Sequence, residues 1–193
     1  MRCALYSDTW SGDDGKVQAG GHWAIDKRNP LWIVDPIESR AKAISEKYGA
    51  TVASFEEILE NSSVDIVDIC TPTFTHRELA VRALKAGKHV FCEKPVALTL
   101  EDARAMDRAA KKNGRKFMVG HVVRFFQQYI RVKELAAAGD VGEIVMARLY
   151  RGGSFPSHGI DNWFADITKS GGVFVDLSIH DFDFLRKRRF WSC

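Results

Sequence analysis

The seven residues His89-Val90-Phe91-Cys92-Glu93-Lys94-Pro95 decide how this chain is organised. The first four of them form a short run that is typical of a strand buried in a parallel sheet. In open α/β sheets, ligands bind just beyond the carboxyl ends of the strands. We therefore expect Lys94 to point into a ligand crevice, with Pro95 fixing the backbone direction directly after it.

Short β-branched runs alternate with amphipathic stretches over the first two-thirds of the chain. The helices have clear boundaries, because Gly49 stops the first, Ser54 and Glu57 form a capping box for the second, and Thr99 caps the last. Such alternation, with nearly continuous apolar strands, predicts an α/β fold whose parallel sheet is covered on both faces. The predicted strands are 3–6, 31–34, 64–70, 89–92 and 117–119, and the predicted helices are 38–48, one after residue 54, 78–86 and 99–112.

The pattern changes after Gly120, where a second domain is predicted to begin. Residues 129–138 indicate a helix, and residues 143–151 alternate like a longer strand of an antiparallel sheet with one wet face. Gly171-Gly172 then opens a single helix that is predicted to carry both Asp176 and His180. The chain thus divides into residues 1–119 and 120–193, and the second part is expected to be an incomplete α/β domain.

Composition excludes several classes of protein. A chain of 193 residues with 46% hydrophobic content can bury one core and part of a second. The net charge of +3 implies no polyanionic partner, so Arg186–Arg189 is interpreted as a solvated tail and not as a nucleic-acid site. Four cysteines without paired spacing favour a reducing compartment over a disulfide framework or a zinc site. Because no run of 18 apolar residues and no signal-peptide core occurs, we expect a cytoplasmic protein without a membrane partner.

One carboxylate and one imidazole are spaced so that they can act together in a reaction. Asp176 and His180 stand at i and i+4, which brings side chains together on one face of a helix. With Lys94 they suit the removal of a proton from an alcohol whose carbon gives up a hydride. Each has a structural alternative, as a solvated lysine after a strand or a histidine satisfied within a core. His121 and Arg124, which follow the last strand, either line a substrate crevice or serve the structure.

Four motifs, in order and at the right spacing, resemble those of the Gfo/Idh/MocA family of oxidoreductases, and among them most the inositol and sugar dehydrogenases. The resemblance runs from about Leu31 to Phe184. The motifs are Val34-Asp35-Pro36, Cys70-Thr71-Pro72-Thr73-Phe74-Thr75-His76, Cys92-Glu93-Lys94-Pro95 and Gly171-Gly172-Val173-Phe174-Val175-Asp176-Leu177-Ser178-Ile179-His180-Asp181-Phe182-Asp183.

The resemblance implies a Rossmann-type, doubly wound domain that binds a nicotinamide, followed by an α/β domain that carries the substrate. Members of the family oxidise a secondary alcohol of a sugar or cyclitol, or run the reverse reduction. A small polyol or sugar is therefore the implied substrate, and full-length relatives are expected to form homo-oligomers. The residues to which the resemblance points are Lys94, Asp176 and His180 as catalytic residues and Thr71, Pro72, His76 and Glu93 as cofactor-binding residues.

The implied chemistry divides the work among these side chains. Neutral His180 takes the hydroxyl proton, because an ordinary imidazole pKa of about 6.5 lies near working pH. Lys94 donates to the reacting oxygen and helps to set the pKa of His180. Asp176 binds substrate hydroxyls and stabilises the imidazolium, and Glu93 holds Lys94 in place. No metal is needed, because the lysine supplies the positive charge.

The glycine loop expected for a dinucleotide is altered. The stretch Trp10-Ser11-Gly12-Asp13-Asp14-Gly15 keeps the second and third glycines of G-x-G-x-x-G and has tryptophan at the first. Gly12 and Gly15 are predicted to bind the cofactor pyrophosphate. Asp35 lies 20 residues beyond Gly15, where a ribose-binding acid is expected. Because a carboxylate there would repel a 2′-phosphate, NAD is the predicted cofactor in preference to NADP. The alternative role for Asp35 is the N-cap of the next helix.

A second hypothesis belongs to another class of protein. Trp10 in place of a glycine, and two acids within the loop, suit a non-catalytic module that holds no dinucleotide. Residues 186–193 also depart from the continuation that the family pattern has, which suggests a cut or shifted reading frame. NADH added to the purified chain distinguishes a remnant of this kind from a dehydrogenase.

Overall fold

A parallel six-stranded sheet forms the centre of the protein in a computed structural model that describes residues 3–6, 31–152 and 160–186. The strand order is β3-β2-β1-β4-β5-β6, and every neighbouring pair runs parallel. The order reverses direction between β1 and β4, which creates a crevice at the carboxyl ends of those strands. The strands are β1 (Cys3–Tyr6), β2 (Leu31–Val34), β3 (Thr51–Val52), β4 (Ile66–Ile69), β5 (His89–Cys92) and β6 (Phe117–Val119).

Eight α-helices occur in the described part of the chain. Those that follow strands are α1 (Glu38–Tyr48), α2 (Phe55–Glu60), α3 (Thr73–Lys85) and α4 (Leu100–Lys112). After β6 come α5 (Gln127–Ala138), α6 (Ile167–Ser170), α7 (Gly172–Asp176) and α8 (Ile179–Arg186). Two 3₁₀ turns, Val122–Phe125 and Ile160–Ala165, connect them.

The helix boundaries expected from the sequence are confirmed for three helices. α1 ends at Gly49, whose φ of 68° is a left-handed conformation that glycine adopts without strain. The side chain of Ser54 accepts from the backbone N–H of Glu57, and the Glu57 carboxylate accepts from that of Ser54, which completes the capping box of α2. Thr99 caps α4 by accepting from the backbone N–H of Asp102.

The sheet carries a hydrophobic cluster on each face, as the sequence predicts. Adjacent residues Ile33 and Val34 fall in different clusters, because successive side chains of a strand point to opposite faces. The larger cluster joins β4 and β5 to helices α2, α3 and α4, with Ile69, Leu84 and Met106 wholly buried. The smaller cluster packs α1 on the other face. Each of these large buried side chains stabilises the fold by roughly 1.5–3 kcal/mol.

Several predicted boundaries shift. The strand expected at 64–70 is observed as Ile66–Ile69, and the helix expected at 78–86 begins earlier, at Thr73. The N-terminal turn of α3 was missed because Thr73 and His76 are polar residues, although both are buried. When the buried face of a helical turn consists of polar residues, the sequence has no apolar periodicity that would indicate the helix.

The strand expected at residues 143–151 is wrong. All strands of the described residues belong to the parallel sheet, and 143–151 pair with none of them. Val145 and Met146 are each 81% exposed and Tyr150 is 91% exposed. A strand is stable only when a neighbour satisfies its backbone groups, so an alternating pattern without such a neighbour remains irregular.

The single helix expected to carry Asp176 and His180 is also wrong. It is broken at Leu177-Ser178, where the backbone N–H groups of both residues donate to the carbonyl of Val173 at 3.0 and 2.9 Å. The bond from Ser178 spans five residues and widens the turn beyond the α-helical four. Asp176 therefore ends α7, and His180 lies in the first turn of α8.

The length of a helix determines whether it can span a membrane. The longest helices of the described residues, α3 and α4, have 13 residues each. About 20 apolar residues are needed to span a bilayer as a helix. Within the residues that the structure describes, no helix has the length and apolar character to do so.

Candidate active site

The end of β5 delivers Lys94 to the carboxyl edge of the sheet. The backbone N–H of Glu93 donates to the carbonyl of Ile69 at 2.9 Å, and that of Gly120 donates to the carbonyl of Cys92 at 2.8 Å. These bonds extend the strand pairing one residue past β5 and β6, so the backbone that precedes Lys94 is fixed. The Lys94–Pro95 peptide bond is cis.

Lys94 contacts the end of α7 through two hydrogen bonds. Its Nζ donates to the Asp176 carboxylate Oδ1 at 3.1 Å and to the Asp176 backbone carbonyl at 2.8 Å. The lysine side chain is 21% exposed and the aspartate side chain 17%. The ammonium thus satisfies one of the free carbonyls at a helix end and pairs with a carboxylate that is mostly removed from water. A strand of the parallel sheet and the segment after residue 171 therefore meet at this point.

His180 stands beside this pair as a neutral imidazole. Burial, followed by the positive charges of Lys94 and Arg151, lowers its pKa to about 4, against the opposing charge of Asp181. Its Nδ1 is buried and has no hydrogen-bond partner among the residues that the structure describes. At neutral pH the ring is therefore unprotonated and can accept a proton.

Two expectations about His180 are corrected by this environment. Its pKa does not lie near the ordinary value of about 6.5, because burial and the charge of Lys94 both oppose the imidazolium. The carboxylate whose charge raises its pKa belongs to Asp181, whereas the carboxylate of Asp176 pairs with Lys94. The charge of Lys94 contributes to the lowered pKa of this histidine, while the catalytic roles of both residues stay predictions.

Two further ion pairs hold α8 against the rest of the site. Arg124 binds both carboxylate oxygens of Asp183, with Nε donating to Oδ2 at 2.6 Å and Nη2 donating to Oδ1. Arg151 donates through Nη2 to Asp181 Oδ1 at 2.8 Å and to the Tyr129 hydroxyl at 3.1 Å. Sequence reasoning assigned no role to Asp181, Asp183 or Arg151. For the two aspartates, the signal in the sequence was the alternation Asp181-Phe182-Asp183 directly after His180.

His76, predicted either to bind the cofactor or to sit in the first turn of a helix, lies in the first turn of α3. It is wholly buried, and its ring nitrogens lie 2.9 Å from the carbonyl of Pro95 and 2.8 Å from that of Thr71. Burial lowers the pKa of its imidazole. The side chain therefore joins the loop after β4 to the loop after β5, and its contact with a cofactor stays a prediction. Thr71 and Pro72 are buried at the same strand end, and their contact with a cofactor stays a prediction.

Glu93 acts on the main chain at Lys94. Its Oε2 accepts from the backbone N–H of Lys94 at 3.0 Å. A Cβ at Gly120 would lie 3.4 Å from Glu93 Oε1 and 3.3 Å from the ring of Phe91, so a glycine keeps this approach open. Glu93 therefore fixes the turn at Lys94 through the backbone N–H of the lysine.

Asp35 follows β2 at the sheet edge predicted for the adenosine ribose. Its Oδ1 accepts from the backbone N–H of Ile37 at 2.8 Å, which shapes the turn into α1. The capping role considered as the alternative is thus partly present. The Asp35 carboxylate binds the backbone N–H of Ile37, the residue that directly precedes α1. Gly12 and Gly15 lie outside the described residues.

Comparison with known families gives two matches along the chain. Residues 20–121 match the oxidoreductase family with an NAD-binding Rossmann fold, and residues 129–187 match the GFO/IDH/MocA C-terminal domain. The first match alone spans more than half of the chain. This protein belongs to the Gfo/Idh/MocA family of oxidoreductases. The parallel sheet described above is the family's NAD-binding Rossmann fold, which supports a nicotinamide dinucleotide as the cofactor.

Individual relatives agree with this membership. The chain is 36% identical over 177 residues to an inositol 2-dehydrogenase of Rhizobium meliloti (strain 1021), which covers 91% of this chain and 52% of the relative. It superposes on myo-inositol 2-dehydrogenase from Lactobacillus plantarum with a TM-score of 0.82 and 26% identity, covering 96% of this chain and 55% of the other. The superposition on GenD2 from gentamicin A biosynthesis, solved in complex with NAD, has a TM-score of 0.78 and 26% identity. It covers 96% of this chain and 52% of GenD2. The chain spans about half the length of the curated relatives that it matches.

Proposed function

We propose that this Gfo/Idh/MocA chain carries the catalytic groups of an NAD-dependent dehydrogenase acting on a secondary alcohol of a cyclitol or sugar. The observation that carries the proposal is the contact of Lys94 with Asp176 next to neutral His180. An ammonium, a carboxylate and an unprotonated imidazole at one strand end suit an alcohol that loses a proton from oxygen and a hydride from carbon. Relatives named inositol 2-dehydrogenase support a cyclitol as the substrate class.

The proton moves between the substrate hydroxyl and His180. As the C–H bond breaks, the O–H bond also breaks, its proton joins a ring nitrogen of His180, and the carbon–oxygen double bond of the ketone forms. Lys94 donates a hydrogen bond to that oxygen and stabilises its developing negative charge. Such proton transfer typically contributes about 10²–10⁴-fold to the rate. Because the pKa of the imidazole is lowered, His180 is neutral before the reaction, and it returns the proton to water afterwards.

The described residues fit a nicotinamide dinucleotide. The strand order reverses between β1 and β4, which leaves a crevice at the carboxyl ends of these strands, and Asp35 places a carboxylate after the neighbouring strand β2. A carboxylate accepts hydrogen bonds from ribose hydroxyls and repels a 2′-phosphate, which supports NAD over NADP. When bound, the nicotinamide accepts the hydride that leaves the substrate carbon. Thr71, Pro72, Gly12 and Gly15 are proposed to contact the same cofactor.

The proposed setting is a reducing compartment, with a small molecule as the partner. The thiols of Cys70 and Cys92 are both buried. Burial raises the pKa of both thiols well above the usual value, which keeps them protonated and unreactive. This supports the cytoplasm as the location. Assembly into homo-oligomers is proposed for the full-length relatives.

Cofactor binding and turnover test this proposal together. We expect NADH fluorescence to change on addition of the purified chain, NADPH to bind more weakly, and NADH to form when NAD and myo-inositol are supplied. Replacing Asp35 with asparagine removes the repulsive charge, so it should narrow the difference between NADH and NADPH. Failure of both cofactors to bind contradicts the proposal.

The alternative is a module of the same family that no longer holds a dinucleotide productively. The tryptophan at position 10, where the fingerprint has glycine, is the observation that favours it. It predicts no change in NADH fluorescence and no thermal shift with NADH. A Trp10→Gly variant that gains NADH binding would support this alternative directly.

A further inference from the structure

A second imidazole leaves the sheet next to the catalytic lysine. His121 follows Gly120, whose N–H bonds to the carbonyl of Cys92 two residues before Lys94. His121 and Lys94 therefore emerge from neighbouring strands at the same edge. The charge of Lys94 lowers the pKa of both His121 and His180, and the charge of His121 also acts on His180. The three side chains are therefore close enough for their charges to act on one another.

His121 also has an unmet hydrogen bond. Its side chain is 15% exposed, and its Nδ1 is buried with no hydrogen-bond partner among the described residues. The nearest carboxylate oxygen, Asp183 Oδ2, is 3.9 Å away, which is too long for a hydrogen bond. Both oxygens of Asp183 are already held by Arg124. The Nδ1 of His180 is unpartnered in the same way.

The protonation state of His121 determines which chemical group can meet this need. Burial lowers its pKa, so at neutral pH the ring has one N–H donor and one acceptor nitrogen. A buried polar atom without a partner is costly, and a hydroxyl can both donate and accept. His180 and Lys94 are committed to the reacting hydroxyl in the proposed function. His121 is left to bind a second hydroxyl nearby.

We propose that His121 contacts the substrate and binds the hydroxyl on the carbon next to the one that is oxidised, so that the site selects vicinal diols. This inference rests on the proposed function, since it takes the reacting hydroxyl to lie at Lys94 and His180. It adds the requirement for an adjacent oxygen, which nothing in the chemistry of hydride transfer imposes. A secondary alcohol without a neighbouring hydroxyl leaves His121 buried and unpaired.

The ring signals of the histidines test the contact directly. The full chain is labelled with ¹³C-histidine and saturated with NADH, and myo-inositol or cyclohexanol is added. The His121 signal, assigned by its loss in His121→Phe, should move with myo-inositol and stay with cyclohexanol. The His89 signal is an internal control, because that ring lies at the opposite end of β5 and accepts from the N–H of Lys116.

Affinity provides the second measurement. His121→Phe should bind myo-inositol about 10- to 100-fold more weakly while its weak affinity for cyclohexanol stays the same. His121→Gln, which keeps a donor and an acceptor, should recover part of the loss. An unmoved His121 signal, or a His121→Phe variant that prefers myo-inositol as strongly as the wild type, overturns the inference.

The same samples separate this inference from the proposed function. NADH that binds while the His121 signal stays unmoved by myo-inositol overturns the inference alone. A chain that binds no NADH contradicts the proposed function. In that case the response of the His121 signal to myo-inositol without cofactor still supports or overturns the contact.

Discussion

Lys94 and Asp176 lie 82 positions apart in the chain and are joined by two hydrogen bonds, one to the carboxylate and one to the backbone carbonyl of the aspartate. The lysine is fixed by the sheet and the aspartate ends a five-residue helix. The contact therefore holds the segment that carries His180 against the Rossmann domain. A pair that performs chemistry in the proposed mechanism also shapes the site.

Breaking this pair should destabilise the protein. Lys94→Met leaves the Asp176 carboxylate mostly buried without its partner, so we expect the free energy of unfolding to fall by about 1–3 kcal/mol. Asp176→Asn keeps the carbonyl contact and removes the charge, so its loss should be smaller. Urea denaturation measures both. Glu38→Ala breaks the exposed pair of Glu38 and Lys42 and is the control, for which no comparable loss is expected.

The positive charge of Lys94 should have a measurable effect on the pKa of His180. Because the ammonium opposes protonation of the ring, Lys94→Met should raise the pKa of His180 from about 4 toward the ordinary value. The ring signal of His180, followed by NMR against pH, measures the change. A pKa that stays near 4 would show that burial alone sets it. The matched control is Lys112→Met at the end of α4, which should leave the titration unaltered.

Acid should destabilise the protein through the same histidine. In the unfolded chain His180 binds a proton near pH 6.5, and in the folded chain only near pH 4. Between these values the unfolded state binds more protons, so stability is complete above about pH 6.5 and falls as the pH drops toward 4. His180→Gln should flatten this part of the stability profile. An equally steep profile in the variant would mean that His76 and His121, whose pKa values are also lowered, account for it.

The forked contact of Arg124 with Asp183 should position α8. Arg124→Lys cannot reproduce the two-pronged geometry, so we expect a loss of about 1–2 kcal/mol in the free energy of unfolding. His180 lies one turn from Asp183 on the same helix, so the His180 ring signal should also move. Arg131→Lys alters the exposed pair with Glu134 and serves as the control. A variant as stable as the control would contradict this role.

Local signals in the sequence were sufficient for much of the Rossmann part. α1 ends where glycine permits a left-handed residue, and α2 starts at a capping box, so neighbouring residues fix both boundaries. The short run His89–Cys92 predicted β5 and the position of Lys94 together. These features depend on backbone preferences and hydrophobic period, which sequence displays directly.

Features that depend on distant residues could not be predicted. The break at Leu177-Ser178 separates Asp176 from His180, although their i, i+4 spacing favoured one helix. The low pKa of His180 arises from burial and from charges at positions 94 and 151, far away in the chain. The alternation of residues 143–151 had the strand period but no neighbouring strand to satisfy it. In each case tertiary contacts outweighed the local pattern.

The most direct test of the central claim is the rate of NADH formation from NAD and myo-inositol, measured with the NADH dissociation constant in the same preparations. We expect Lys94→Ala and His180→Ala to form NADH about 10²–10⁴-fold more slowly while binding NADH as tightly as the wild type and as the control Lys112→Ala. Rates equal to the wild type, or rate and NADH affinity lost together, would contradict the roles proposed for Lys94 and His180.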